Sequence, residues 1–242
     1  VTQERFPRLS IVRQAHPVDD GRHAVGPFRS VDEAELAMSA IYDAFPIRQC
    51  KDRFTSKTAQ SPCALGEIGK CIAPCVDGSD TAEYSELISA LGESLSNDAA
   101  PVWQTASAKM AHLADSERFE EAALYRDRLK SYVSGASRIS AIRNLTSIPE
   151  LVAAAPTAEG GWDIHVIKHG WLAGSASAPP DVDPRPIAQA CRDVSATNLG
   201  DPTLVAETEM ILQWLGNPAT RLVYVTPDYT WAQPVGIKPW SY

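Results

Sequence analysis

Four of the five cysteines in this chain fall between residues 50 and 75, as Cys50, Cys63, Cys71 and Cys75 in the spacing C-x12-C-x7-C-x3-C. Nothing else in the sequence constrains the fold as much. Residues 47–76 show neither a helical nor a strand period, and Pro62 and Pro74 each precede a cysteine and fix extended backbone there. A stretch of that length without a period needs an organiser if it lies inside a compact domain, and a bound metal centre is one. Five cysteines in 242 residues do not make a disulfide scaffold. The spacing leaves three readings open. A [4Fe–4S] cluster takes one thiolate on each of its four irons and tolerates long, unequal spacers. Zinc prefers close-spaced pairs, which only Cys71 and Cys75 supply. The third reading is four free or buried thiols.

Around this segment the periodicities predict an α+β chain. Residues 9–12 and 23–28 read as the strands of a short β-hairpin, with turn chemistry over 17–21. Residues 30–45 read as a helix: Ser30 and Glu33 form a capping box, Ala34, Ala37, Met38, Ile41 and Phe45 share a face, and Pro46 ends it. A second helix covers 81–94. Residues 103–114 and 119–143 form a helical hairpin turning at 115–118. Residues 146–161 read as a linker with a strand-prone start. Strands follow at 162–168 and 171–175 around a His169-Gly170 turn, then helices at 187–195 and 204–215 and a buried-type strand at 221–225. The expected organisation is a cysteine-cluster domain over 1–100, the helical hairpin over 101–145, and a small α/β domain over 146–242.

Composition is that of an ordinary globular chain, 44% apolar and 21% charged. No run is apolar enough to cross a bilayer and no signal peptide opens the chain, so the expected location is cytoplasmic. The charge is uneven. Residues 1–75 hold ten Lys/Arg and nine Asp/Glu, whereas residues 76–242 hold twelve and twenty-one, making up the net −8. A polyanion would therefore meet the first third. There Arg48, Lys51, Arg53, Lys57 and Lys70 stand against Asp52 and Glu67. They are candidate phosphate contacts, the alternative being a loop that carries charge to stay solvated. Elsewhere, Asp163 and His165 share a strand face as an acid–base pair or as plain solvated side chains, and Cys191 reads as a buried thiol. No convergent carboxylate set with an orienting base occurs, so catalytic residues are expected to be absent and the chain alone is expected not to cut DNA.

Three motifs in order carry a family resemblance. Gly26-Pro27-Phe28-Arg29-Ser30 is followed by Phe45-Pro46-Ile47-Arg48-Gln49-Cys50, Pro62-Cys63 and Glu67-Ile68-Gly69-Lys70-Cys71-Ile72-Ala73-Pro74-Cys75. The third is Phe119-Glu120-Glu121-Ala122-Ala123-Leu124-Tyr125-Arg126-Asp127-Arg128-Leu129. Together they resemble the UvrC family of GIY-YIG nucleases, the incision subunit of nucleotide excision repair, or an exonuclease-fused relative, over about residues 5–135. The resemblance implies a [4Fe–4S] cluster, with zinc as the alternative, on Cys50, Cys63, Cys71 and Cys75. It also implies DNA contact without sequence preference, and a UVR-like hairpin that meets a UvrB-like partner through Phe119, Glu120, Ala123, Arg126 and Asp127. The family's GIY-YIG and RNase H-like nuclease centres have no counterpart in these residues. The chain thus reads as a non-catalytic piece of a longer DNA-repair nuclease. The readings from other classes are a metal-stabilised protein-interaction module and a redox-sensing Fe–S protein.

Overall fold

The computed structural model describes residues 1–13, 23–52, 54, 62–76, 81–196 and 205–229. These contain seven helices and a four-stranded sheet, an α+β chain, in two compact units that meet in sequence at Ile139 and Ser140.

The first unit is helical. Helix α1 (Val31–Ala44) starts where the capping box predicts: Glu33 N–H donates to Ser30 Oγ at 3.1 Å. The Glu33 carboxylate reaches one residue further back than expected and accepts from Arg29 N–H at 2.8 Å. A four-residue helix α2 (Ala64–Glu67) lies in the cysteine segment, followed by α3 (Thr81–Ser96), α4 (Ala100–Asp115) and α5 (Phe119–Ser147). Ala37, Ile41, Phe45 and Ile47 pack with Tyr84, Leu91 and Leu95 of α3, Val102 and Ala106 of α4, and Leu129, Tyr132 and Ala136 of α5 in one core. The helical hairpin α4–α5 therefore shares its core with the cysteine segment's neighbours. Arg128 on α5 also pairs with Asp43 on α1 at 2.8 Å.

The β-hairpin expected near the start is not formed among the described residues. Residues 7–12 and 23–28 carry no strand, and the expected turn at 17–21 lies outside the described residues. The physical reason is where the backbone groups and side chains of this stretch go. Phe6 and Leu9 are three apart, not two, and both bury in the helical core. The Phe6 and Pro7 carbonyls accept from Arg48 and Tyr84, and Gly26 N–H donates to the Gly135 carbonyl of α5. Side chains and a helix satisfy what a partner strand would have satisfied.

The second unit is a sheet of order β3-β2-β1-β4, antiparallel throughout, from β1 (Leu151–Pro156), β2 (Trp162–Lys168), β3 (Trp171–Ala178) and β4 (Arg221–Val225). The period of two is strict in β1. Val152 and Ala154 face Ala188 and Cys191 of α6 (Pro184–Val194), while Leu151 and Ala153 face Ile211 of α7 (Val205–Leu215) and Leu145 and Ile148. The β2–β3 turn has His169 at φ +48° and Gly170 at φ +82°, the left-handed pair a two-residue hairpin needs. Two expectations are corrected here. The stretch read as a linker with a strand-prone start holds the end of α5 and then β1, which takes in residues 151–152 of that start, runs on to Pro156 and is the most buried strand of the sheet, because an Ala-rich strand allows close packing on both faces. The strand at 221–225 is the opposite of buried: β4 is an edge, with Leu222 and Val223 exposed.

Candidate cysteine centre

The described residues of the cysteine segment form two short turns beside the helical core. After α1, Ile47 is fully buried and anchors the entry to Cys50. Cys63 precedes α2, whose turn closes through Glu67 N–H to Cys63 O at 3.0 Å and Lys70 N–H to Leu65 O at 2.8 Å. The chain then reverses at Gly69, φ +71°, and again at Ala73, φ +51°. Ala73 adopts a conformation that costs a residue with a Cβ on the order of 1 kcal/mol. The strain aims the Ala73 N–H at Cys71 Sγ, 3.3 Å away. Gly66 lets the two turns pack closely, since a Cβ there would stand 3.0 Å from the Ala73 Cβ. Ile72 N–H donates to the Pro46 carbonyl at 2.9 Å and ties this turn to the entry of Cys50.

Cys71 is buried, Cys50 and Cys75 are half-buried, and Cys63 is exposed; all four are free thiols. They lie near enough to feel each other's charge. The Cys71 thiol is pushed up from its ordinary value first by burial, then in smaller measure by Cys50, Cys63 and Cys75. Burial likewise pushes Cys75 up, with contributions from Cys50 and Cys63. Among the described residues no three His, Cys, Asp or Glu side chains stand close enough to grip a single metal ion.

Arg48 lies against this centre and is only 2% exposed. Its Nε donates to Phe6 O at 2.6 Å, and its Nη1 to Asp52 O at 2.8 Å and Cys50 O at 3.2 Å, with Cys50 Sγ at 3.7 Å. Its Nη2 pairs with the Glu4 carboxylate. Above the guanidinium lies the Phe54 ring, 5.1 Å to its centroid. The Arg48 N–H meets Tyr84 Oη at 3.2 Å, and that hydroxyl donates to Pro7 O; burial pushes Tyr84 up to about 12. Arg48 is thus not a surface cation, and its expected role as a phosphate contact is withdrawn. All its donor nitrogens are committed inside the fold. Of the other expected DNA contacts, Lys51 and Lys70 are exposed, as are the opposing Asp52 and Glu67. Arg53 and Lys57 lie outside the described residues.

In the helical hairpin, Phe119 opens α5 with 66% of its surface exposed, and Leu124 is exposed as well. Glu120 is exposed, Ala123 half-buried, and Arg126 pairs with its neighbour Asp127 at 2.8 Å on the open side. Ala122 and Leu129 face the core. The hairpin therefore uses one face internally and leaves an apolar ring flanked by charge on the other.

Asp163 and His165, two apart on β2, are each engaged elsewhere. Asp163 accepts from Ser177 Oγ at 2.9 Å, and the His165 ring packs edge-on to Trp214 at 4.6 Å. Cys191 is buried against α6's side of the sheet, as its helical position predicts. No helix among the described residues is long and apolar enough to cross a membrane. Sequence reasoning missed Glu4, Phe54 and Tyr84 as the shell around Arg48. The available signal was an arginine set directly behind the apolar Phe45-Pro46-Ile47 run, where a solvated charge is out of place.

Fold and site together define a helical module with a cysteine-rich loop, continued by a helical hairpin whose outer side exposes Phe119 and Leu124 among charged residues. The UvrC/Cho excinuclease middle-domain model matches residues 1–94, and the UvrB/uvrC motif model matches residues 104–134. The chain is therefore UvrC-like: a UvrC/Cho-type middle domain followed by a UVR motif. A "Putative bifunctional exonuclease/endonuclease protein" of Mycobacterium tuberculosis is 34% identical over 254 aligned residues, taking in all of this chain and 38% of that protein. UvrABC system protein C of Rickettsia bellii is 37% identical over 131 residues, 53% of this chain and 20% of that protein. Its namesake in Francisella tularensis subsp. novicida is 31% identical over 129 residues, 53% of this chain and 21% of that protein. The chain thus spans well under half the length of these relatives. No solved structure matches it.

Proposed function

We propose that this chain is the non-catalytic middle portion of a UvrC-like DNA-repair protein that works in nucleotide excision repair or a related incision pathway. In this reading Cys50, Cys63, Cys71 and Cys75 hold a [4Fe–4S] cluster. The observation that carries it is the donor set: four free thiols within electrostatic reach of one another, two of them facing N–H groups. Hydrogen bonds to sulfur are what tune and hold thiolate ligands. Zinc on the same four sulfurs is the alternative, with only Cys71 and Cys75 at the close spacing it prefers. When bound, the cluster supplies a four-point crosslink to a segment that has little core of its own.

The chain's own residues do the rest. Ile47 and Cys71 bury the centre against the helical core, and the Ala73 N–H meets Cys71 Sγ. Lys51 and Lys70 offer non-specific phosphate contacts beside it, in balance with Asp52 and Glu67, so affinity in the isolated chain is weak. The open face of the UVR hairpin, with Phe119, Glu120, Ala123, Arg126 and Asp127, is offered to a UvrB-like partner, where a second hairpin of the same kind can cover it. Two experiments on the purified chain test the reading. Incubation with damaged duplex DNA and Mg²⁺ or Mn²⁺ should give no incision, while a UvrB-type UVR segment should bind. Reproducible cleavage lost in Asp163→Asn would overturn the non-catalytic assignment.

A further inference from the structure

The proposed cluster leaves Arg48 unexplained. It is a cation buried beside Cys50 and close enough to act on Cys75, and a buried cation is costly unless it is paired and hydrogen-bonded. Every arm of its guanidinium is used, and the arms divide by destination. Nε and Nη2 hold the opening segment, through the Phe6 carbonyl and the Glu4 carboxylate. Nη1 holds the cysteine segment, through the carbonyls of Cys50 and Asp52, with Cys50 Sγ in reach at 3.7 Å. The Phe54 ring caps the guanidinium, and Phe6 meets both Phe54 and Tyr84 edge-on, at 6.1 and 5.5 Å. Only a planar, five-donor side chain can serve both directions at once.

We infer that Arg48 is a positioning residue of the cysteine centre, fixing the Cys50 ligand and setting, with Glu4, the net charge that the centre feels. This rests on the cluster reading above. Four thiolates carry more negative charge than four thiols, and among the described residues the guanidinium is the one buried cation, set against Cys50 and within reach of Cys75. Glu4 tempers that cation and is itself shared with Arg8, at 3.4 Å. The arrangement makes two electrostatic predictions of opposite sign. Losing the guanidinium leaves the reduced, more negative state of a cluster less compensated. Losing the carboxylate leaves it more compensated.

The test uses the full chain purified and loaded without oxygen, in wild-type form and as Arg48→Met, Arg48→Lys and Glu4→Gln. Iron content, visible absorbance, helix content by circular dichroism and the midpoint potential are read for each. Arg48→Met should lower the potential and Glu4→Gln should raise it, with helix content unchanged. Arg48→Lys keeps the charge but not the fork. It should hold the potential near wild type while losing iron to a chelator several-fold faster. A merely structural arginine would not give shifts of opposite sign. If Arg48→Met fails to load, Glu4→Gln and Arg48→Lys still decide. A loaded Glu4→Gln protein with unchanged or lowered potential, or Arg48→Lys with wild-type iron retention, overturns the inference. A wild-type chain that takes up no iron and sulfide overturns the cluster reading instead, which keeps the two failures apart.

Discussion

Phe119→Ala separates a binding face from a folding face. The ring is 66% exposed, so only about a third of its surface is buried by the fold. Full burial of a Phe side chain stabilises by about 1.5–3 kcal/mol, which scales to about 0.5–1 kcal/mol here. The higher helix propensity of Ala at the first turn of α5 offsets part of that. The expected change in folding stability is therefore under about 1 kcal/mol. Leu129→Ala, ten residues further along the same helix and fully buried, should instead cost about 2–5 kcal/mol. Binding should show the reverse order. An aromatic anchor covered by a partner costs about 2 kcal/mol or more when truncated, which is roughly a thirtyfold rise in Kd. Titration calorimetry of the chain with a UvrB-type UVR segment, beside thermal melts of both variants, measures the two quantities. Phe119→Ala that binds as wild type, or that melts as far down as Leu129→Ala, would refute the division of faces.

Other consequences are equally concrete. Gly161→Ala should destabilise the second unit by about 1–3 kcal/mol, because its Cβ would stand 2.3 Å from the Ala178 carbonyl oxygen, which belongs to the paired strand and cannot rotate away; a melt within a degree of wild type would contradict this. His165 is held below its ordinary value of 6.5 by burial, with Asp163 opposing in smaller measure. Its neutral form is thus favoured by folding, and the stability of this unit should be full above about pH 6.5 and fall as the pH drops from there toward the folded value. His165→Phe should flatten that part of the pH–stability curve measured by urea unfolding. In DNA binding, Lys51→Glu with Lys70→Glu should reduce the slope of log K against log salt by about 1.8, at 0.9 per phosphate on duplex DNA. An unchanged slope in fluorescence anisotropy would make these lysines solvated surface only.

What could be read in the sequence was what is local. The capping box at Ser30 and Glu33, the face of α1, the His169-Gly170 turn and the alternation of β2 are set by spacing alone, and the structure carries them. The misreadings share one cause, competition for partners across long sequence separations. Residues 9–12 look β-prone, but the chain around them gives its carbonyls to Arg48 and Tyr84, some 40 and 77 residues away. Residues 146–161 look like a linker with a strand-prone start at 148–152, since alanine has no strong strand preference; the strand runs on to Pro156, pairs on both sides and lies inside the sheet. Arg48 looked like one of five loop cations because composition counts charges without asking where the apolar run before it must go. The cysteines were legible as a set from spacing. The strained Ala73 that turns an N–H toward Cys71 was not, since nothing in an Ile-Ala-Pro-Cys string announces a positive φ.

The central claim is the cluster itself, and elemental analysis with visible absorption on the anaerobically purified chain tests it most directly. The account predicts iron and acid-labile sulfide near four each per chain and a broad absorbance around 400 nm. It predicts that Cys63→Ser or Cys71→Ser bleaches that band and opens residues 46–52 and 62–76 to hydrogen exchange. One zinc per chain with no iron or sulfide, or a band that survives both substitutions, would contradict it.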